Sequence, residues 1–286
     1  MNGIIVIDKP KDWTSRDVVN KVMHHLNIRK IGHLGTLDPL ATGVLVLLVG
    51  EAVKVNDLIL DDSKEYVATV KTGILTDTLD ITGNVLEERE SNLNKEDLEK
   101  CLSSFLGKSI QEVPKYSSVK VNGKHLYEYA RNNIEVEIPK KEIEIFDIEL
   151  IDFKNDEFTF KVKVSKGTYI RSLIRDIGNK LNILCTMKEL RRTKQAMFDI
   201  DDSVTLEEFL KDNYKVFDIK DSLIGYNFIT VDSFLEKKIS NGVKLENRYD
   251  TEYVIFQNES GKLLAIYKKD HDEMKAYKVF NIANNN

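Results

Sequence analysis

Runs of apolar residues and stretches that alternate between apolar and polar residues divide the chain into predicted strands and helices. Residues 3–7 form an apolar run that predicts a first strand. Residues 44–49 are continuously apolar and end at a glycine, which predicts a strand buried on both faces. Residues 64–71 and parts of 134–164 alternate, as half-buried antiparallel strands do. Apolar residues at helical spacing predict a helix that begins after a cap at Thr14 or Ser15 and reaches Leu26. The same spacing predicts helices over 51–60, 94–106, 123–131 and the second half of 165–178.

Towards the C-terminus the pattern changes, and a second, smaller unit is predicted there. Gly225, Tyr226 and Asn227 are typical of a linker. A short helix at 232–240 and several short strands, such as 253–256 and 263–267, follow it. We therefore divide the chain into domains at 1–225 and 226–286. The asparagine-rich end, Asn281 and 284–286, is expected to fray.

The composition of the 286-residue chain provides a hydrophobic core and excludes several classes of protein. Hydrophobic residues make up 42% of the chain, which is ample for a core. No apolar run approaches the length of a bilayer span, and the first residues lack the features of a secretory signal peptide. Cys101 and Cys185 have neither Cys-x-x-Cys spacing nor a histidine cluster beside them. This predicts buried free thiols in a reducing compartment and no metal site, so we expect a cytoplasmic protein.

The charge of the chain is distributed unevenly. The net charge is −5, which by itself does not indicate an RNA-binding protein. However, residues 161–194 contain ten Lys/Arg and two Asp/Glu, a local balance of +8, which leaves −13 for the remainder. One basic face on an acidic protein is expected if that face meets phosphates. The alternative is that these side chains only solvate the surfaces of helices and strands.

The glycine-rich segment 32–43, called here the signature loop, contains the strongest candidate chemistry. Three glycines, a proline and two threonines within twelve residues predict a structured loop that leads into the buried strand at 44–49. Within this loop only Asp38 can act as a nucleophile or general base at neutral pH, and only His33 titrates nearby. The alternative for Asp38 is a turn or cap residue before a proline. His33 taken alone is typical of a surface or hydrogen-bonded histidine.

The sequence Gly-His-Leu-Gly-Thr-Leu-Asp-Pro-Leu-Ala-Thr-Gly-Val-Leu at 32–45 resembles the signature loop of the TruB family of tRNA pseudouridine synthases. Three further segments resemble motifs of this family. They are the opening Lys-Pro-x-x-x-Thr-Ser at 9–15, the Lys-x-Tyr at 64–66, and the Ser-Lys-Gly-Thr-Tyr-Ile-Arg at 165–171. Two departures stand out, because Asp12 replaces a glycine of the opening motif and Val113 replaces a proline of a later one. The resemblance covers residues from about 3 to 194.

The resemblance implies a role for each of five residues. Asp38 aligns with the catalytic aspartate, and His33 with the histidine that helps to displace the target base. Tyr66 aligns with an active-site tyrosine, whose ring could stack on an extruded base. Arg171 aligns with the arginine that would pair with Asp38 and fix the direction of its carboxylate. Leu190 aligns with a leucine that lines the uracil pocket, although an ordinary core leucine is the alternative.

Several basic residues are candidates for contacts with RNA phosphates. Lys9 is one of them, although a structural role at the end of the first strand is slightly favoured. The candidates are Lys9, Arg29, Lys30, Lys166, Arg175, Arg191 and Arg192.

The implied fold is α+β, with a curved, mostly antiparallel mixed sheet, flanking helices and a small C-terminal PUA-like β-barrel that binds RNA. The implied activity is the isomerisation of uridine to pseudouridine in the T-loop of tRNA, at position 55 in conventional tRNA numbering. It requires the nucleotide to leave its stack, and it uses no cofactor. The implied partner is the T-arm of tRNA, with no membrane, no obligatory protein partner and a monomeric enzyme.

Three rival functions remain open at the level of sequence. The first is a non-catalytic RNA-binding or RNA-folding protein on the same scaffold, and this role could coexist with catalysis. The second is the archaeal and eukaryotic relative that works in guide-RNA particles, which is expected to bring partner-binding extensions, whereas this chain shows no charged tail. The third is a hydrolase built on Asp38, which would need a second carboxylate with an evident partner.

Overall fold

The structure is a computed structural model that describes residues 1–60, 63–154 and 156–282. The predicted fraying of 284–286 lies outside the described residues. Asn281 was predicted to fray as well, but its backbone N–H donates a hydrogen bond to the carboxylate of Glu51. The strands are β1 (Gly3–Lys9), β2 (Ile31–His33), β3 (Thr42–Val49), β4 (Lys64–Thr72), β5 (Ile74–Thr76), β6 (Val85–Glu88), β7 (Gly107–Glu112), β8 (Lys120–Val121), β9 (Lys124–His125), β10 (Lys140–Lys154), β11 (Glu157–Val164), β12 (Cys185–Gln195), β13 (Phe198–Asp199), β14 (Val204–Thr205), β15 (Asn227–Val231), β16 (Leu245–Glu246), β17 (Tyr253–Asn258), β18 (Leu263–Asp270) and β19 (Glu273–Val279). The helices are α1 (Ser15–Leu26), α2 (Lys95–Ser103), α3 (Leu126–Arg131), α4 (Ile170–Leu181), α5 (Leu206–Leu210) and α6 (Ser233–Ser240), with 3₁₀ turns at Gly50–Val55, Ile200–Asp202 and Ile219–Leu223.

A ten-stranded sheet forms the body of the molecule, in the order β14-β1-β3-β12-β4-β11-β10-β7, with β13 paired to β12 and β2 to β3. The pairs β1–β14 and β12–β3 are parallel, and the other pairs of this sheet are antiparallel. The predicted α+β class with a mixed, mostly antiparallel sheet is therefore confirmed. β12 lies between β3 and β4, with a long antiparallel ladder to β4 and a short parallel one to β3. Residues far apart in sequence thus become neighbours across three strands.

The strand predicted to be buried on both faces lies near the middle of this sheet. β3 pairs with β1 along its length, and Val44 to Val49 are all buried. Its residues alternate between two core clusters, so that Val44, Val46 and Leu48 face one and Leu45, Leu47 and Val49 face the other. A continuous apolar run is what two such faces require. The signature loop is thereby anchored to one of the most buried strands in the described chain.

Helices pack on the sheet in two separate core clusters, and their ends follow local sequence signals. α1 begins after Thr14, whose side chain and that of Asp17 form a capping box with each other's backbone. Its Val18, Val19 and Val22 pack against β1 and β3. α2 and α4 pack on the other part of the sheet through Leu98, Leu102, Ile174 and similar residues. The predicted cap at Thr14 or Ser15 is thus Thr14.

Two predicted helices differ from the structure. The segment 51–60 forms only a 3₁₀ turn, Gly50–Val55, followed by irregular chain whose Leu58 enters the core. Short 3₁₀ turns are common where a connection must place one or two apolar residues rather than a full helical face. The helix predicted over 94–106 ends at Ser103. The strand that follows it, β7, was not predicted.

The C-terminal residues form a separate five-stranded sheet in the order β15-β17-β18-β19-β16. Its edge strands β15 and β16 do not pair with each other in the described chain, so the predicted closed barrel is not confirmed, and the sheet is open. One of its faces shares a core with the main sheet, where Ile255, Ile266 and Phe280 join the cluster of Val46 and Leu48. The division at 225/226 stays a prediction. No helix in the described ranges is long and apolar enough to cross a membrane.

Glu51 links three separate parts of the chain beside this shared core. Its carboxylate accepts hydrogen bonds from Lys30 Nζ (2.8 Å), Lys54 Nζ (2.5 Å) and the backbone N–H of Asn281 (2.9 Å). Lys54 in turn donates to the carbonyl of Val279 at the end of β19. Burial alone would raise the pKa of Glu51, but the hydrogen bonds from the two lysines outweigh it and lower the pKa to about 2.

We predict that Glu51→Gln weakens the attachment of the C-terminal sheet in a pH-dependent way. A carboxylate whose folded pKa is lowered stabilises the fold above its unfolded pKa, and this contribution is lost as the pH falls towards the folded value. The variant should therefore be less stable than wild type by about 1–3 kcal/mol at neutral pH, and the difference should shrink between about pH 4.5 and pH 2. Urea unfolding at several pH values measures this difference. A constant difference down to the lowest pH would contradict the role of Glu51.

Candidate active site

The signature loop connects β2 to β3, and a buried arginine fixes its backbone. Arg192 on β12 donates from Nε to the carbonyl of Val44 (2.7 Å), from Nη1 to that of Thr36 (3.2 Å) and from Nη2 to that of Gly35 (3.1 Å). Its side chain is fully buried. The prediction that Arg192 contacts RNA is therefore wrong, because the guanidinium group points into the protein and stabilises the loop.

Gly43 allows β12 to approach this loop closely. Its φ is +102°, a conformation that favours glycine, and a Cβ there would lie 2.2 Å from the carbonyl oxygen of Arg192. Any side chain would force β3 and β12 apart. Gly43 and Arg192 therefore act together. The glycine lets β12 approach the loop, and the arginine on β12 binds the carbonyls of the loop.

Lys9 fixes the other side of the loop. Its ammonium group donates to the carbonyls of Pro10 (2.9 Å), Trp13 (2.6 Å) and Pro39 (3.2 Å), and the side chain is fully buried. Three carbonyls satisfy the three donors of an ammonium group. Burial lowers the pKa of Lys9 to about 8, although the nearby Asp38 partly offsets this effect. Lys9 therefore has the structural role, and its assignment as an RNA contact is wrong.

Two further contacts attach the loop to the start of α1. Ser15 Oγ accepts from the N–H of Leu37 (2.8 Å) and donates to the carbonyl of the same residue (3.1 Å). The N–H of Asp12 donates to the carbonyl of Pro39 (2.8 Å). Asp12 has a φ of +64°, which explains why the family has glycine here. Aspartate tolerates this left-handed conformation better than most residues, so the turn keeps its shape.

Asp38 forms an ion pair with Arg171, as predicted from the resemblance. Arg171 Nε lies 2.9 Å from Asp38 Oδ2. The guanidinium group also donates from Nη1 to the carbonyl of Thr78 (3.0 Å) and from Nη2 to that of Tyr116 (3.0 Å). The Arg171 side chain is 7% exposed and that of Asp38 40% exposed, so the arginine is held in the protein while the carboxylate faces outwards.

The turn that holds Arg171 is itself built around a second carboxylate. Asp80 Oδ1 accepts from Thr78 Oγ1 (2.9 Å), from Thr82 Oγ1 (2.6 Å) and from the N–H of Thr82 (3.0 Å). Its other oxygen lies 3.8 Å from Arg171 Nη1. The turn is thus rigid, and it presents the carbonyl of Thr78 to the arginine. Asp80 therefore has a structural role in this turn.

Asp38 and Arg171 line a cavity of about 230 Å³ that opens to solvent. Tyr66 on β4 and Leu190 on β12 also line it, and both side chains are nearly buried. The strands β4 and β12 are paired, which brings these two residues to one wall although they lie far apart in sequence. Lys166 lies at the same cavity. The structure therefore brings together five of the residues that the sequence singled out.

Tyr169 also lines the cavity and was missed from the sequence. Burial raises the pKa of its hydroxyl, and the negative charge of Asp38 adds to this shift. Lys141 Nζ lies 5.9 Å from the centre of its ring, at the outer side. The motif Gly-Thr-Tyr-Ile-Arg contained the signal, because Tyr169 lies two residues before Arg171 in the same segment.

His33 lies at the end of β2, outside the set of residues that line the cavity. Its Nδ1 is buried and has no hydrogen-bond partner among the described residues. Burial lowers the pKa of His33, and the positive charges of Arg192 and Arg16 lower it further. A neutral ring beside the loop is therefore favoured near neutral pH. The position of His33 does not test the prediction that it helps to displace the target base.

The remaining RNA-contact candidates lie at the surface and stay predictions. Arg29 and Lys30 are exposed at the turn before β2, and Lys30 pairs with Glu51. Arg175 on α4 lies 2.8 Å from Asp176 and 3.5 Å from Glu112. The guanidinium group of Arg191 binds both carboxylate oxygens of Asp8 and is partly exposed. The described residues contain no cluster of metal-ligating side chains.

Comparison with known proteins agrees with this geometry. The model of the TruB family pseudouridylate synthase N-terminal domain matches residues 23–170, and that of the tRNA pseudouridylate synthase B C-terminal domain matches 171–226. The fold and the matched domains define a pseudouridine synthase. The chain belongs to the TruB family of these enzymes.

Individual relatives cover nearly the whole chain. The tRNA pseudouridine synthase B of Clostridium tetani (strain Massachusetts / E88) is 41% identical over 94% of this chain and 93% of its own length. That of Staphylococcus aureus (strain MSSA476) is 43% identical over 98% of this chain and 99% of its own. Among solved structures, an H/ACA RNP bound to a substrate RNA containing 2'-deoxyuridine has a TM-score of 0.72 at 22% identity, covering 99% of this chain and 86% of that chain. At this identity the likeness concerns the fold alone.

The two neighbouring arginines of β12 provide a direct test of the loop anchor. Arg192→Met removes a buried cation and leaves three backbone carbonyls without donors, so we expect the free energy of unfolding to fall by about 3 kcal/mol or more. Arg191→Met removes a partly exposed ion pair, which should lower it by about 1 kcal/mol or less. Chemical denaturation of both variants measures the two values. Equal losses would show that Arg192 does not support the loop in this way.

Proposed function

We propose that this chain converts uridine to pseudouridine in the T-loop of tRNA, at position 55. The relatives named as tRNA pseudouridine synthase B support the reaction on tRNA. The position within tRNA comes from the resemblance of the signature loop. The observation that carries the proposal is the ion pair between Asp38 and the buried Arg171 at a cavity large enough for a uracil ring.

The reaction breaks the bond between uracil N1 and ribose C1′, rotates the base, and forms a bond from C5 to C1′. The hydrogen at C5 leaves as a proton, and no electrons are exchanged with another molecule. Asp38 is assigned the catalytic role, by attack on the sugar or the base or by assisting cleavage. Arg171 fixes the direction of the Asp38 carboxylate, because its other nitrogens are held by backbone carbonyls.

The walls of the cavity suit an extruded base. Tyr66 offers a ring for stacking, and Leu190 offers an apolar side chain on the neighbouring strand. Both exclude water from the ion pair, which strengthens it. His33 occupies the space that the base vacates in the RNA, and Lys166, Arg29, Lys30, Arg175 and Arg191 contact the phosphate backbone.

The C-terminal sheet is assigned a supporting part in RNA binding, as a PUA-like unit. Lys268 lies 5.4 Å from the ring centre of Tyr253, and Lys278 lies 4.4 Å from that of Tyr277. Tyr277 is exposed and Tyr253 is half-buried, and lysines beside aromatic rings suit phosphates and bases. The chain is proposed to act as a monomer in the cytoplasm, without a cofactor or an obligatory protein partner.

The test is the release of tritium from a tRNA T-arm labelled at uracil C5. The purified chain alone should release one tritium for each target uridine, and Asp38→Asn should lower the rate by about 10³-fold or more. A T-arm with cytidine at the target position, labelled at its other uridines, is the matched control and should release none. Tight binding of the T-arm without any release by wild type would refute the reaction and favour the RNA-folding alternative.

A further inference from the structure

Arg16 is an exposed arginine in the first turn of α1, outside the residues assigned above. Ser15, its neighbour, holds this end of the helix against Leu37 through two hydrogen bonds. Leu37 directly precedes Asp38 in the signature loop. The backbone of Arg16 therefore has a fixed position beside the catalytic carboxylate, while its side chain extends into solvent.

Most basic side chains around the signature loop are engaged by the protein itself. Lys9 and Arg192 donate to backbone carbonyls inside the fold. Arg191 binds Asp8, and Lys30 binds a carboxylate of the 3₁₀ turn at Gly50–Val55. Arg16 differs from these four residues and is like Arg29 in this respect, because no salt bridge joins it to a carboxylate within residues 1–60, 63–154 and 156–282. Its guanidinium group remains available to an anion from outside.

The charge of Arg16 acts on the face of the loop that carries His33. The pKa of His33 is lowered first by burial, then by Arg192, and then by Arg16. This effect of charge adds to the two hydrogen bonds of Ser15, which fix the start of α1 against the signature loop. His33 lies outside the set of residues that line the cavity of Asp38.

We propose that Arg16 binds a backbone phosphate of the RNA next to the nucleotide that enters the cavity of Asp38. This inference rests on the proposed function and names one contact of the same site. RNA carries a phosphate on each side of every nucleotide, and a guanidinium group binds phosphate oxygens in pairs. The base enters the cavity while its flanking phosphate stays outside, on the side of α1. Arg16 is thus a binding residue and touches none of the reacting atoms.

The experiment measures the affinity for an unmodified T-arm stem–loop at several salt concentrations. All proteins carry Asp38→Asn, so that the RNA stays unmodified during the titration. Arg16→Ala is compared with Arg16→Lys, which keeps the charge, and with Lys21→Ala. Lys21 is a matched control, because it is an exposed cation further along the same helix. Equal thermal unfolding of all variants would establish that they are folded.

Loss of one phosphate contact has a specific signature. Arg16→Ala should weaken binding by about 5–10-fold near 0.1 M salt and reduce the slope of log affinity against log salt by about 0.7–1. Arg16→Lys should keep the slope, and Lys21→Ala should leave both quantities unchanged. An unchanged slope for Arg16→Ala, or equal losses for Arg16→Ala and Lys21→Ala, would overturn the proposal.

A second measurement is independent of RNA. The pKa of His33, followed by NMR with His33→Gln for assignment, should rise in Arg16→Ala and stay unchanged in Lys21→Ala, because of these two cations only Arg16 acts electrostatically on the ring. A pKa unaffected by Arg16→Ala would contradict the placement of Arg16. Failure of the proposed function is recognised separately, since it appears as a wild-type enzyme that releases no tritium. A working enzyme with an unchanged salt slope would refute only the role of Arg16.

Discussion

The structure of the site depends on one buried guanidinium group. Arg171 has its nitrogens directed at the carboxylate of Asp38 and at the carbonyls of Thr78 and Tyr116, so it joins three segments that are remote in sequence. Removing a cation from water is costly unless every donor finds a partner, and here the partners come from the turn built around Asp80 as well. The same contacts that satisfy the arginine orient the carboxylate, so stability and chemistry depend on a single arrangement.

Buried cations also hold the rest of the loop. The sequence alone could not predict which of the basic residues are buried and which face the surface. Arg191 and Arg192 are adjacent and chemically identical, yet one faces the surface beside Asp8 and the other is enclosed by the signature loop. Residues alternate along a strand, so one of the two had to face inwards, but only the pairing of β12 with β3 decides which. Lys9 is a similar case, because the carbonyl of the distant Pro39 joins the nearby carbonyls of Pro10 and Trp13 around its ammonium group.

Local features were predicted best. The apolar run of β3, the capping residue Thr14 and the alternation of β4 follow from periodicities within a few residues, and the motif around Asp38 identified the centre of the site. The features that the sequence did not predict depend on tertiary contacts. They include the position of Tyr169 at the cavity and the open C-terminal sheet. Closure of a sheet is decided by the pairing of its edge strands, which the short patterns of that region do not encode.

The central claim is that Arg171 serves the chemical step by fixing the direction of the Asp38 carboxylate. The most direct measurement compares the single-turnover rate and the RNA affinity of Arg171→Lys with those of wild type. Lysine keeps the charge and cannot direct several donors at once, so the rate at saturating enzyme should fall by about 10²-fold or more while the Kd changes less than about threefold. A weakened Kd with an unchanged rate at saturation would contradict this account and make Arg171 a residue for RNA binding alone.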